Sequence, residues 1–102
     1  MAKLFISQPM RGRSNEEIKA EREEAVRISE DLVGHKLEVI DSFFENAPVE
    51  ARPLWFLGKS LELLSTADYA FFAPGWQDAR GCRIEHACCE EYEITTIEEV
   101  EV

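Results

Sequence analysis

The chain has 102 residues, 45% of them hydrophobic and 31% charged, which describes one globular domain spanning 1–102 rather than a disordered segment. Acids outnumber bases 21 to 11, giving a formal net charge of −10, and no Lys or Arg follows Arg83. Such a surface repels nucleic acid and anionic membranes, while leaving room for a small anion wherever a few bases converge. No apolar run approaches the roughly 20 residues of a membrane span, and MAKLFISQPMRGR lacks a signal-peptide core. The cysteines, Cys82, Cys88 and Cys89, are odd in number and clustered. They read as free thiols of a cytoplasmic protein rather than a disulfide framework, and without C-x-x-C they offer no metal site.

In chain order, Lys3 to Ile6 is a short apolar run that predicts a buried strand. Pro9 and Gly12 break it. Ser14 and Glu17 form an S-x-x-E capping box, which places a helix start near Asn15. Ile18, Ala25, Val26, Ser29, Leu32 and Val33 then recur at helical spacing, up to a C-capping Gly34. Leu37 to Phe44 is the second strand and Glu45 to Pro53 a loop. Leu54 to Thr66 is a second helix with Leu57, Leu61 and Leu64 in one stripe. Tyr69 to Ala73 is a third strand, Pro74 to Asp78 a turn, Arg80 to Tyr92 a third helix, and Ile94 to Ile97 a last strand.

This alternation predicts an α/β fold: a small doubly wound, flavodoxin- or Rossmann-like parallel sheet of about four strands with helices on both faces. Ligands of such folds bind at the carboxyl ends of the strands. That rule selects Ser7 to Arg13, Asp41 to Phe44, and Ala73 to Glu85.

In the third segment Gly81 opens a helix and Glu85 follows about one turn in. Helical side chains lean toward the N-terminus, so this carboxylate is expected to point back over the strand ends, ionised in the field of the helix dipole. Asp78 would supply a second carboxyl and Trp76 a flat apolar wall for a ring, and two carboxyls can split a glycosidic bond. The blander alternatives stand beside this: Glu85 as a dipole partner, Asp78 as a cap, Trp76 as core. His86 reads as a packing or surface residue, and the cysteines as packed under the helix. In the first segment Arg11 and Arg13 could grip a phosphate beside the opening amides of the first helix, or pair with Glu16 and Glu17. Asp41 is a candidate for bonding a sugar hydroxyl, or a turn cap.

KLFISQPMRG, FFAPGW and above all DARGCRIEHA resemble the nucleoside 2-deoxyribosyltransferase-like superfamily, and more closely a short subfamily of it. By that resemblance Glu85, in Gly81-x-x-x-Glu85, is the nucleophile, and Asp78 protonates or orients the base. The loop Ser7, Gln8, Pro9 and Met10 borders the nucleoside. The chain departs from the common pattern at Cys82, Arg83 and Ala87, and has little sequence after its last strand. A second branch hydrolyses deoxynucleoside monophosphates, and Ser7, Arg11, Gly12 and Arg13 are similar in kind to its phosphate loop. The implied function is N-glycosidic-bond chemistry, transfer or hydrolysis, on a deoxynucleoside or its monophosphate, with no cofactor and no metal. The alternative is a nucleotide-binding module without turnover. The resemblance also implies a homo-oligomer, and the run Pro53-Leu54-Trp55-Phe56-Leu57, too apolar for a single buried stripe, is its expected interface.

Overall fold

A computed structural model describes residues 1–44 and 47–99. Within the expected loop Glu45 to Pro53, Glu45 and Asn46 therefore lie outside the described residues. The elements are β1 (Lys3–Ser7), α1 (Asn15–Val33), β2 (Glu38–Val39), α2 (Pro53–Leu64), β3 (Tyr69–Phe72), a 3-10 turn (Trp76–Asp78), α3 (Arg80–Glu91) and β4 (Thr95–Glu98). The four strands form one parallel sheet in the order β2-β1-β3-β4. This is the α/β, Rossmann-like class predicted above, with the strand order that begins flavodoxin-like sheets.

Alternation along the central strands separates two apolar clusters. Leu4, Ile6 and Phe71 pack with Ala25, Val26 and Ile28 of α1. Phe5, Ala70 and Phe72 pack with Leu61 and Leu64 of α2 and with Cys89 of α3. The start of α1 is set by local chemistry. Ser14 Oγ accepts from Glu17 N, and the Glu17 carboxylate accepts from Ser14 N, completing the capping box; Gly34 closes the helix at φ +83°. Ile18, Ala25 and Ser29 are buried as their spacing predicts, whereas Leu32, on the same side but in the last turn of the helix, is exposed.

β2 is much shorter than the expected Leu37 to Phe44. Ile40 N still donates to Leu4 O at 2.9 Å, but the Ile40 carbonyl accepts from Arg22 Nη2 at 3.3 Å. A side chain of α1 thus claims the backbone where the ladder would continue.

α3 ends in a Schellman-type turn: Ile94 N donates to Cys89 O at 3.0 Å, and Glu93 occupies the left-handed region at φ +58°. That conformation favours glycine. Glu93→Gly is expected to stabilise the fold by about 0.5–1 kcal/mol, since relief of steric strain outweighs the added unfolded-chain entropy. Urea unfolding measures it, and an unchanged or lower midpoint would contradict the assignment.

Candidate active site

The β1 and β3 strands are neighbours, while the chain leaves β1 toward β2 on one side and β3 toward β4 on the other. This is the switch point where open α/β sheets bind ligands. A cleft of about 360 Å³ lies there, bordered by the β1 exit (Ser7 to Arg11), Ser42, one side of α2, and Gly81, Cys82 and Glu85 of α3.

Glu85 is the sixth residue of α3 and lines the cleft while only 7% exposed. Ser7 Oγ, at the last residue of β1, donates to Glu85 Oε1 at 2.6 Å. Burial pushes the Glu85 carboxyl above its ordinary range, opposed by hydrogen bonds from Ser7 and from Ser60 of α2. The pull of the helix dipole toward the ionised form is thus opposed by desolvation, the leading influence on this carboxyl. Among the described lining residues Glu85 is the sole carboxylate.

Several predicted site residues converge on this cleft: Ser7, Gln8, Pro9, Met10, Arg11, Gly81 and Glu85. Their contributions differ. Gln8 is buried with its amide committed elsewhere: Nε2 donates to Ile18 O at 3.2 Å and Glu21 Oε1 at 2.9 Å, and Oε1 accepts from Arg22 at 3.0 Å. Its side chain braces the loop and is not free for a ligand. A methyl group added at Gly81 would meet no protein atom within 4 Å, so protein packing does not demand glycine there. Arg11 is exposed at the cleft border and makes no ion pair among the described residues.

Other predictions are not met by the geometry. Arg13 is held at 2.6 Å by Glu21, rather than by Glu16 or Glu17, and also donates to Pro9 O at 2.9 Å. The opening amides of α1 are partly taken by Ser14, which weakens that end as an anion site. Asp78 is exposed in the 3-10 turn and absent from the cleft lining, so the second carboxyl is not brought to Glu85. Trp76 forms no wall here. It stacks on His86, ring centroids 4.1 Å apart and planes 12° apart, beside Phe72. Asp41 is exposed and its neighbour Ser42 faces the cleft.

Cys82, expected under the helix, lines the cleft instead. Burial raises its thiol to about 11, so it is neither a thiolate nor a nucleophile at neutral pH. Cys89 is likewise raised to about 11 and packs in the core.

Ser60 carries no assignment from the sequence, Ser42 falls in the selected segment Asp41 to Phe44 without a role of its own, and Phe56 and Leu57 read there as interface or stripe residues rather than as lining of the cleft. For the α2 residues a signal existed: Pro53, Phe56, Leu57 and Ser60 lie at i, i+3, i+4 and i+7, one helical face, and all four line the cleft.

A larger cleft, of about 740 Å³, lies near Asp68 and the C-terminal ends of α2 and α3. Asp68 accepts from Lys3 N at the start of β1, which places this cleft at the opposite end of the sheet from Glu85. Among the described residues, no group of three or more His, Cys, Asp or Glu side chains is arranged to hold a metal ion, and no helix is long and apolar enough to cross a membrane.

Comparison with protein-family models, with curated proteins and with solved structures found no match to this chain.

Proposed function

We propose that this protein breaks the N-glycosidic bond of a deoxynucleoside or deoxynucleoside monophosphate, with Glu85 as the attacking group. The observation that carries the reading is a buried carboxylate, fixed by Ser7, in a cleft at the switch point of a parallel sheet. The resemblance of DARGCRIEHA and KLFISQPMRG to the deoxyribosyltransferase-like superfamily supports it from the sequence side.

The chemistry follows from the environment. A glycosidic carbon losing its base becomes cationic, and an anion in a dry site stabilises that charge far better than one in water. Ser7 holds one carboxylate oxygen and so orients the group. Attack forms a C1′–O bond to Glu85 as the C1′–N bond breaks, and the electron pair leaves with the base, which takes up a proton from solvent water. A second base or water then attacks C1′ and releases the carboxylate. Asp78 has no part in this scheme.

The test is release of free base from a panel of 2′-deoxynucleosides and their 5′-monophosphates, comparing wild type with Glu85→Gln. Release by wild type and not by the variant supports the reading, and no release from any substrate refutes it. One observation favours the second reading, a binding module without turnover: among its described lining residues the cleft holds one carboxylate, where the sequence suggests two. Such a module would bind these ligands while releasing no base.

For monophosphates, Arg11 becomes the candidate phosphate contact, since Arg13 is already engaged. Arg11→Ala is expected to weaken monophosphate binding about tenfold or more and leave nucleoside binding nearly unchanged, as a charged hydrogen bond contributes roughly 1.5–3 kcal/mol. Calorimetric titration of a matched pair measures this. Equal affinity of wild type for the two ligands would remove the phosphate contact.

Self-association belongs to the same reading. α2 is strongly apolar, yet of its described residues Leu64 alone is buried; Leu54 is 76% exposed and Trp55 and Phe56 are half-buried, edge-on to each other at 5.1 Å. Light scattering at micromolar concentration is expected to give the mass of a dimer or larger assembly, shifted toward monomer by Leu54→Asp. A monomeric mass for wild type would contradict it.

A further inference from the structure

Arg22 is a charged residue on the buried stripe of α1, four residues after Ile18 and three before Ala25. Its guanidinium fork divides between two segments. Nη1 donates to Gln8 Oε1 at 3.0 Å; Nη2 donates to Ile40 O at 3.3 Å and Ser42 Oγ at 3.2 Å. These acceptors are neutral oxygens. Burial draws the guanidinium pKa down and nearby Asp41 holds it up, but an arginine keeps its charge.

The consequences lie at the cleft, which Arg22 itself does not line. Gln8 and Ser42 do, one on the exit of β1 and the other beyond β2. The fork also settles the orientation of the Gln8 amide. Nε2 has two acceptors, Ile18 O and Glu21, and Oε1 has one donor, Arg22, so a flipped amide would lose all three bonds. Glu21 in turn holds Arg13, which bonds Pro9 O. A continuous chain of polar contacts thus runs from Ser42 through Arg22, Gln8 and Glu21 to the loop beside Ser7.

We propose that Arg22 is a positioning residue of the Glu85 site: its fork locks Gln8 and Ser42, and through them fixes the spacing between the two strand exits that border the cleft. The inference rests on the glycosidic reading for its kinetic consequence and on geometry alone for the lock. Lysine keeps the charge and most of the stem, but a single ammonium replaces a planar fork, and it is not equivalent at a site read in two directions. A displacement of reacting groups by about 1 Å costs on the order of a hundredfold in rate.

The experiment compares wild type, Arg22→Lys and, as control, Arg27→Lys, an exposed arginine of α1 paired with Glu24 and Asp31. Two quantities are read on fully folded protein: the side-chain amide resonances of Gln8 in ¹⁵N-labelled samples, and kcat and KM for base release from 2′-deoxynucleosides. Arg22→Lys is expected to shift the Gln8 amide pair, speed its exchange with solvent, and lower kcat/KM about ten- to a hundredfold with a large part in kcat. Arg27→Lys is expected to do neither. A wild-type Gln8 amide in Arg22→Lys overturns the proposal, and so does unchanged kcat/KM, whatever happens to thermal stability. If wild type itself releases no base, the glycosidic reading has failed and the amide spectrum alone decides the lock: a shifted pair supports it and an unshifted pair ends it.

Discussion

Glu85→Gln is expected to lower base release at least a thousandfold, and at the same time to make the protein more stable at neutral pH. The first effect follows from removing the nucleophile, since an amide does not form the glycosyl ester; losses of this size or larger accompany removal of attacking groups elsewhere. The second follows from burial. The folded-state pKa of Glu85 is raised, with desolvation the leading cause. The folded protein therefore holds this proton more tightly than the unfolded chain does. The associated stability is fully present below the unfolded carboxyl pKa and is lost as pH rises through the folded value. Above that value wild type carries a buried charge that the glutamine variant lacks. Thermal unfolding should show the variant melting above wild type at pH 8, the gap closing as pH falls to about 4. Coincident melting curves at both pH values would show that Glu85 is not strained by its site. The same shift predicts that the wild-type rate rises with pH through the Glu85 ionisation, because only the carboxylate attacks.

The largest loss of stability is expected at the sheet centre. Phe71 is 1% exposed on β3, between β1 and β4, and packs in the cluster that α1 shares with Leu4, Ile6 and Ile97. Phe71→Ala removes a ring from a site whose neighbours come from three other elements, β1, α1 and β4, so collapse into the void is limited. The cost should be about 3–5 kcal/mol, a large share of the total stability of a domain this size. Urea unfolding against wild type measures it. A loss below about 1 kcal/mol would mean that the sheet is not packed as described.

The parts of the fold that were legible in the sequence are those governed by local signals. Ser14 with Glu17, Gly34, and the apolar runs at Lys3 to Ile6 and Tyr69 to Ala73 each specify their own element, and the structure realises α1, β1 and β3 close to those bounds. β2 ends well before the apolar run Leu37 to Phe44 does, because its end is decided from outside, by Arg22 reaching the Ile40 carbonyl. The site divides in the same way. Glu85 was placed at the cleft because helix geometry fixes where a side chain leans. Trp76 and Asp78 sit in a 3-10 turn and Asp41 in irregular chain beyond β2, where no regular period fixes which way a side chain faces, and none of the three lines the cleft among the described residues. Arg22 carried a readable signal, a charge at i+4 from Ile18 on an apolar stripe. Its partners did not, since they come from two distant strand exits.

The most direct test of the role given to Glu85 is peptide mass mapping of wild-type protein quenched in acid during turnover of a 2′-deoxynucleoside. The account predicts a deoxyribosyl ester on the peptide that carries Glu85, absent from Glu85→Gln. Base release with that peptide unmodified under single-turnover sampling would contradict a covalent role for Glu85, and modification at any other residue would move the nucleophile elsewhere.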